Sequence, residues 1–256
     1  MTPSSPFSQV YASLLASLTF YTTLPFHHLG TPNFHRIARF APIVGLILGF
    51  LLASLNYSLQ ALGFSPWVRA TLGVTLWVGL TGGLHLDGAM DSADGLAVTD
   101  PDRRLAVMAD SVTGAFGAMV AALILLLKTI AWAECSPNLL WTLPLVAGWG
   151  RWAQVLSIDR YPYLKAEGKG AFHKQEFQGP ADSLLGPIVL LSLTAIAVAI
   201  GGLSLNAAIG LSLGGLILAG VTGAWFNQRL GGHTGDTYGA VVEWTEALLL
   251  SLLTVF

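Results

Sequence analysis

Three aspartates, Asp87, Asp91 and Asp94, recur at the spacing i, i+4 and i+7 within residues 82–95. On a helix they would share one face, where like charges repel one another unless a cation lies among them. Oxygen ligands suit Mg²⁺ or Mn²⁺, and Mg²⁺ usually binds one or two carboxylates together with water and phosphate oxygens. The pattern therefore predicts a metal site that handles a phosphorylated substrate. A solvated acidic loop at a helix end is the simpler alternative.

A second polar group, Asp110 and Ser111, precedes the next apolar segment. We expect Asp110 to be a further metal ligand, and Ser111 and the free N–H groups of the helix start to contact a phosphate. Helix capping explains the same two residues. The sequence leaves both interpretations open.

Several cations could bind substrate phosphates. Arg104, Lys165 and Arg229 lie in polar connections, whereas Arg151 lies inside an apolar segment. A charge at that depth faces the bundle interior, pairs with a partner or snorkels to the interface. We expect Arg151 to hold a phosphate or a carboxylate, and we expect Lys128, also inside an apolar segment, to snorkel.

An attacking hydroxyl would need a general base. The candidates are Asp94, His85 and Asp236, with Asp94 preferred because it belongs to the densest acidic group. His233, like His85, lies within a few residues of an acid and could carry a proton. No two histidines have the spacing of a zinc site on a helix, so zinc is not predicted.

Composition indicates what positions these residues. The 256-residue chain is 54% hydrophobic and 10% charged, with a mean hydropathy of +0.65, which disfavours a water-soluble fold. A net charge of −2 gives no basic excess for nucleic acid, so we expect no nucleic-acid partner. A single cysteine, Cys135, excludes an intramolecular disulfide.

Apolar segments long enough to cross a bilayer fill most of the chain. They predict an all-α, polytopic integral membrane helical bundle of seven or eight transmembrane helices, with residues 1–256 forming one domain. The eight segments are 10–26, 40–62, 67–86, 115–133, 139–158, 184–205, 207–226 and 238–256.

Charge is distributed unequally between the connections. Nine lysines and arginines lie in the odd-numbered connections, 27–39, 87–114, 159–183 and 227–237, whereas only Arg69, near the start of the segment 67–86, lies at an even-numbered one. Cytoplasmic loops are rich in Lys and Arg, so these four should face the cytoplasm with the acids and the active site. Within the third connection, residues 159–170 mix aromatic, cationic and glycine residues and could clasp a nucleotide phosphate.

The pairs Gly45/Gly49 and Gly210/Gly214 predict close helix packing, and such small-residue faces permit a homo-oligomer.

Taken together, these motifs resemble the cobalamin synthase family, the adenosylcobinamide-GDP ribazoletransferases of bacterial and archaeal cytoplasmic membranes. The resemblance extends over nearly the whole chain. Its motifs are residues 82–95, the set Asp110, Ser111, Gly114 and Gly117, the run Gly150, Arg151 and Trp152, and the set Gly232, Gly235 and Asp236 with Glu246 downstream.

The resemblance implies a specific reaction. A hydroxyl of α-ribazole, or of its 5′-phosphate, attacks the phosphorus of adenosylcobinamide-GDP that is joined to the cobinamide arm, and GMP leaves. It also implies Mg²⁺ as cofactor and membrane lipid around the bundle. Asp87, Asp91, Asp94 and Asp110 fall in the family's acidic motifs and Asp236 in its glycine–acid turn.

Two other functions remain as alternatives. The acid spacing is similar to that of membrane CDP-alcohol phosphotransferases, but the arginine and the long gap of their signature are absent. Acids and interrupted helices also mark cation-coupled transporters. Here the acids crowd one membrane face instead of the midplane, which disfavours transport.

Overall fold

The computed structural model of the protein describes residues 6–135, 138–165 and 170–256. Within these ranges the chain forms eleven α-helices joined by turns and short 3₁₀ segments, and no β-sheet. The helices are α1 (Pro6–Tyr21), α2 (Ala41–Ala61), α3 (Pro66–Thr81), α4 (Leu84–Ala97), α5 (Arg104–Val107), α6 (Ala115–Glu134), α7 (Leu139–Arg160), α8 (Ala171–Gln175), α9 (Pro180–Ala199), α10 (Leu205–Leu230) and α11 (Gly235–Leu252).

Five of the described helical segments are long and apolar enough to cross a membrane: Ile37–Ala61, Ala115–Glu134, Pro180–Ala199, Leu205–Leu230 and Gly235–Val255. They confirm the predicted all-α membrane bundle. The other three predicted spans are also helical, but α1 and α3 have 16 residues each, about 24 Å at 1.5 Å per residue against a hydrocarbon core of about 30 Å. The exact number of spans stays a prediction.

Helix α7 is the centre of the bundle. It packs against α2, α9, α10 and α11, and its side chains from Thr142 to Val155 are all buried. Gly49 of α2 lies against the main chain of Pro144 in α7. Gly210 and Gly214 of α10 lie against Phe256 and Leu252. The predicted close packing at both glycine pairs is therefore confirmed.

The predicted span 67–86 is wrong at its end, because α3 stops at Thr81. Gly82 and Gly83 follow with φ angles of +60° and +71°, a region that favours glycine because it has no Cβ. The chain turns there and restarts as α4 at Leu84. The three aspartates of the first motif thus lie on one helix, as their spacing predicts.

The start of α11 is fixed by its own side chains. The Thr234 hydroxyl accepts a hydrogen bond from the Thr237 N–H, and the Thr237 hydroxyl accepts one from the Thr234 N–H. This reciprocal cap satisfies N–H groups that a helix start leaves without partners. It also fixes the backbone on both sides of Asp236.

Candidate active site

Helices α4 and α11 meet through two glycines. A Cβ on Gly88 would lie 2.5 Å from the main-chain oxygen of Asp236, and a Cβ on Gly239 would lie 2.8 Å from that of His85. Real Cβ atoms do not approach main-chain atoms so closely. The missing side chains therefore let the two helices touch along their backbones, which brings the α4 aspartates to the start of α11.

This contact assembles a carboxylate cluster, defined here as Asp87, Asp91, Asp94 and Asp236. Partial burial, together with the negative charges of Asp87, Asp236 and Asp94, raises the pKa of Asp91 to about 6. Desolvation and like charges both disfavour an ionised carboxyl. Burial and the neighbouring carboxylates thus act in the same direction on Asp91, and Lys165 opposes them only in part.

Lys165 lies at the edge of the cluster. Its ammonium donates to Asp236 Oδ2 at 3.0 Å. The loop before it is paired with the turn before α11, since Leu164 N–H donates to the His233 carbonyl and His233 N–H to the Pro162 carbonyl. The structure thus brings one predicted phosphate ligand to Asp236. Residues 166–169 of the predicted phosphate clasp lie outside the described residues.

Asp94 has a role that spacing alone did not predict. Its two carboxylate oxygens accept hydrogen bonds from the N–H groups of Gly114 at 2.7 Å and Gly117 at 2.8 Å, at the start of α6. A Cβ on either glycine would collide with this carboxylate. The anion that we expected at this helix start is therefore the side chain of Asp94 itself.

Asp110 and Ser111 are exposed, and the described contacts do not join them to the carboxylate cluster. Asp110 Oδ1 accepts a hydrogen bond from the Val112 N–H, which forms a local turn. Helix α6 begins at Ala115, after Gly114 and without a side-chain cap, so neither Asp110 nor Ser111 caps it. Both predictions for this pair, the metal ligand and the helix cap, are therefore corrected.

The predicted set of four metal ligands is not gathered into a cage. Within residues 6–135, 138–165 and 170–256, no three Asp, Glu, His or Cys side chains are close enough together to hold a metal ion by themselves. Asp87 and Asp91 remain on one face of α4 beside Asp236. A Mg²⁺ ion there would need water or substrate phosphate oxygens to complete its coordination.

Comparison with known proteins identifies the family. A family model described as cobalamin-5-phosphate synthase matches residues 13–254. This chain belongs to that family. Three similar proteins are each named adenosylcobinamide-GDP ribazoletransferase. The protein of Trichormus variabilis is 51% identical over 95% of this chain and 96% of its own. The proteins of Synechocystis and Desulforamulus reducens are 46% and 36% identical, over 93% and 95% of this chain and 92% and 96% of their own. No solved structure matches this chain.

Arg151, in one of the motifs that resemble the cobalamin synthase family, does not face the carboxylate cluster. It is fully buried, and its guanidinium donates to Glu246 Oε1 at 2.5 Å and to the Ala147 carbonyl at 3.2 Å. Of the two partners predicted for Arg151, the structure contains the carboxylate. An arginine so enclosed does not reach a substrate phosphate, so that prediction is corrected.

Lys128 also corrects its prediction, because it does not snorkel. It is 3% exposed, and its ammonium donates to Glu243 Oε2 at 2.7 Å and to Glu246 Oε2 at 2.6 Å. Lys128, Arg151, Glu243 and Glu246 form a buried charge network that ties α6, α7 and α11 together. Pairing inside the bundle replaces the hydration that snorkelling would keep.

Arg104 and Arg229 line a separate groove. Arg104 Nη1 donates to the Arg229 carbonyl at 3.0 Å, and the groove, of about 570 Å³, also holds Ala89 and Ala93 of α4. On a helix these alanines lie opposite Asp87, Asp91 and Asp94. The structure therefore separates these two predicted phosphate ligands from the carboxylate cluster.

A polar pocket beside the cluster contains functional candidates that the sequence did not reveal. It is a cavity of about 140 Å³ whose lining includes Asp87 and Asp236, which solvent reaches and which therefore mark its edge, and the buried His85. The candidates not found from the sequence are Tyr21, Gln154, His173 and Tyr238. Only Gln154 could have been noticed in the sequence, because it is a polar residue inside an apolar segment and such a side chain usually has a specific partner.

His233 is structural. Its Nε2 lies 3.1 Å from the Gly223 carbonyl, to which it must donate, and its ring stacks between Tyr161 and Tyr238. Burial lowers the pKa of His233 to about 4, so the ring is neutral near pH 7. Both ring nitrogens are used, since Nδ1 contacts the Thr237 hydroxyl. His233 is therefore not available to carry a proton.

Proposed function

We propose that this chain is an adenosylcobinamide-GDP ribazoletransferase that depends on Mg²⁺. The observation that carries the proposal is that the Gly88 contact brings Asp87 of α4 to the same cavity as Asp236, which binds Lys165, in a chain of the cobalamin-5-phosphate synthase family. Asp91 lies one turn from Asp87 on α4. In the reaction, a hydroxyl oxygen of α-ribazole or its 5′-phosphate bonds to the phosphorus on the cobinamide arm. The bond from that phosphorus to GMP breaks, and the hydroxyl proton passes to a base.

Mg²⁺ suits these residues chemically. All the side chains of the cluster offer oxygen ligands, which suit Mg²⁺. Burial first, and then the negative charges of its neighbours, raise the pKa of Asp91, and a cation would relieve the repulsion. Asp87 and Asp91 would hold the ion, one turn apart on α4. When bound, Mg²⁺ would neutralise phosphate oxygens and stabilise the charge that develops on the leaving group.

Asp236 is the base that we propose. Asp94 is less suited, because both its oxygens accept hydrogen bonds at the start of α6. Asp236 is about one-quarter exposed, so a substrate hydroxyl can reach it, and the Lys165 ammonium lies 3.0 Å from its Oδ2. Lys165 would also attract the phosphates of the donor.

The test measures GMP release from adenosylcobinamide-GDP by the purified protein in liposomes, with α-ribazole and Mg²⁺ present or omitted. Release that requires both supports the proposal. Asp87→Asn should reduce turnover by a factor of about 100 or more, whereas Asp102→Asn, an exposed aspartate of the following connection, should not change it. Activity on a CDP-alcohol donor instead would indicate lipid headgroup transfer, and inactivity with both donors would favour transport.

A second comparison tests the base. Asp236→Asn should reduce the turnover number by a factor of about 100 to 10,000, with donor affinity largely kept. Asp94→Asn should mainly lower stability, because a neutral amide caps the N-terminal end of α6 less well. The opposite result, with Asp94→Asn inactive but fully stable, would make Asp94 the base.

The location of the site is also part of the proposal. We propose that the chain lies in the cytoplasmic membrane with the carboxylate cluster facing the cytoplasm, on the basis of the cations in the four connections. Ser111→Cys and Glu134→Cys, each in a Cys135→Ser background, would label the two ends of α6. Both positions are exposed. An impermeant maleimide should reach Ser111→Cys only in inside-out vesicles and Glu134→Cys only in intact cells. The reverse pattern would contradict this orientation.

We also propose that an acidic phospholipid fills the groove at Arg104 and Arg229. Its walls include Phe116, Trp225 and Trp244, and its two arginines lack a described carboxylate partner. Basic pockets between membrane helices bind lipid headgroups in this way. Brominated phosphatidylglycerol should quench the protein's tryptophan fluorescence more than brominated phosphatidylcholine does. Arg104→Gln should remove the difference, and equal quenching by both lipids would contradict the proposal.

A further inference from the structure

The polar pocket has more buried polar atoms than its own residues satisfy. Both ring nitrogens of His85, Oε1 of Gln154, Nδ1 of His173 and the Tyr238 hydroxyl have no hydrogen-bond partner among the described residues. All four side chains are at most 3% exposed. A buried polar atom without a partner is costly, so such a group usually has a ligand or a functional reason. Here all four side chains line the same cavity.

A chain of hydrogen bonds fixes how these atoms are presented. Gln154 Nε2 donates to the Tyr21 hydroxyl at 3.0 Å, so Gln154 Oε1 is the acceptor that faces His85 and the cavity, and it makes no hydrogen bond of standard geometry there. The Tyr21 hydroxyl lies 3.4 Å from His173 Nε2 and can donate to it. His173 then carries its proton on Nδ1, which is a free donor. The pocket therefore offers both a donor and an acceptor, and neither is charged.

Flat rings form part of the same wall. The ring of Tyr21 is nearly parallel to those of His85 and His173, with interplanar angles of 14° and 7° and centroids 6.1 Å and 5.8 Å away. Tyr238 also lines the cavity. Aromatic walls with a few fixed polar atoms suit a planar ring that has hydrogen-bonding edges.

The size of the cavity limits the occupant. Its volume of about 140 Å³ is close to that of an engineered cavity of about 150 Å³ that binds benzene. One aromatic ring can therefore enter fully. The rest of a fused base would extend toward Asp87 and Asp236, the edge at which the proposed transfer occurs.

We infer that this pocket binds the neutral heteroaromatic base of a nucleoside substrate. This inference rests on the proposed function, which supplies two sources of such a base: the lower-ligand base of the α-ribazole acceptor and the guanine of the donor. With the base held in the pocket, its sugar and phosphate lie beside the carboxylate cluster. Gln154, His173 and Tyr238 would then determine which base the enzyme accepts.

The experiment measures equilibrium binding of α-ribazole, GMP and ribose 5-phosphate, each alone, to the full-length protein in nanodiscs. Gln154→Leu and Tyr238→Phe each remove a free polar atom from the pocket. The matched controls are Gln60→Leu and Tyr57→Phe. Both side chains are exposed near the C-terminal end of α2, and neither lines the pocket. Tyr238→Phe loses only a hydroxyl that has no described partner, so it should fold even if Gln154→Leu does not.

We expect each pocket variant to weaken binding of one nucleoside by about tenfold or more, with the controls unchanged. A loss for α-ribazole alone assigns the pocket to the acceptor base, and a loss for GMP alone assigns it to guanine. Ribose 5-phosphate, which lacks a base, should bind all variants equally. The inference is overturned if Tyr238→Phe binds α-ribazole and GMP as tightly as the parent does. It is also overturned if Tyr238→Phe loses as much affinity for ribose 5-phosphate as for these two ligands. Because no turnover is needed, this outcome is separate from the GMP-release test of the proposed function.

Discussion

Removing the ammonium of Lys128 tests the buried charge network most directly. In Lys128→Met a side chain of similar length loses its charge, and the two glutamates are affected differently. Glu246 keeps Arg151 as a partner. Glu243 loses Lys128, with which it forms its ion pair among the described residues. The variant therefore leaves one carboxylate in the bundle interior without a counter-charge.

The size of the effect follows from the distances. At 2.7 Å, the distance from Lys128 Nζ to Glu243 Oε2, the Coulomb attraction is about 6 kcal/mol for an effective dielectric constant of about 20. Desolvation of the ions offsets most of this gain in the intact protein. Removing one partner keeps the desolvation cost of the other, and the net loss in such cases is about 3–5 kcal/mol of unfolding free energy.

The assay is denaturant unfolding in mixed micelles, followed by tryptophan fluorescence. Trp77 is a local reporter, since Lys128 Nζ lies 4.4 Å from its ring centre. Lys128→Met/Glu243→Gln is the matched control, because it removes the orphaned charge together with the cation. It should recover most of the loss, since neutral groups often replace a buried ion pair at little cost. A single variant within about 1 kcal/mol of the parent, or a double variant as unstable as the single, would refute this reasoning.

Three further predictions concern the site itself. Gly239→Ala should lower both the unfolding temperature and turnover, because a Cβ there would lie 2.8 Å from the His85 carbonyl oxygen and separate α4 from α11; calorimetry that shows no change would contradict the contact. Asp91→Asn should abolish GMP release yet raise the unfolding temperature in EDTA, because it removes one of several like charges; an unchanged melting temperature would mean that these charges do not repel one another appreciably. Burial lowers the pKa of His173 to about 3, so below about pH 6.5 the unfolded chain takes up a proton that the folded state does not. Stability should therefore fall by about 1.4 kcal/mol from this group between pH 7.5 and 5.5, and His173→Phe should reduce the slope by that amount; equal slopes for variant and parent would contradict the assignment.

Local patterns in the sequence predicted those parts of the site that depend on a single helix. The spacing of Asp87, Asp91 and Asp94 placed them on one helical face, and α4 has that face. The turn before Asp236 marked the start of α11. Such features need only helical periodicity and capping, which nearby residues determine.

Features that depend on contacts between distant helices were predicted poorly. Asp94 accepts hydrogen bonds from residues 20 and 23 positions away, and Lys128 pairs with residues 115 and 118 positions away. The sequence identified both as unusual charges but gave no way to choose their partners. From sequence alone, Asp94 was therefore assigned to a metal or a substrate and Lys128 to the membrane interface, whereas in the structure other groups of the protein bind both side chains.

The charge network also has a consequence for how the chain is made. Lys128 is synthesised 115 residues before Glu243, so at roughly 5–20 residues per second its first ion-pair partner emerges about 6–23 s later. During that time α6 carries a cation with no carboxylate to meet it, and the bilayer centre is a costly place for such a charge. We therefore expect α6 to stay near the interface, or beside the insertion machinery, until α11 arrives. A nascent chain that ends before α11 should leave Lys128 reactive toward an aqueous amine reagent, whereas the completed protein should not.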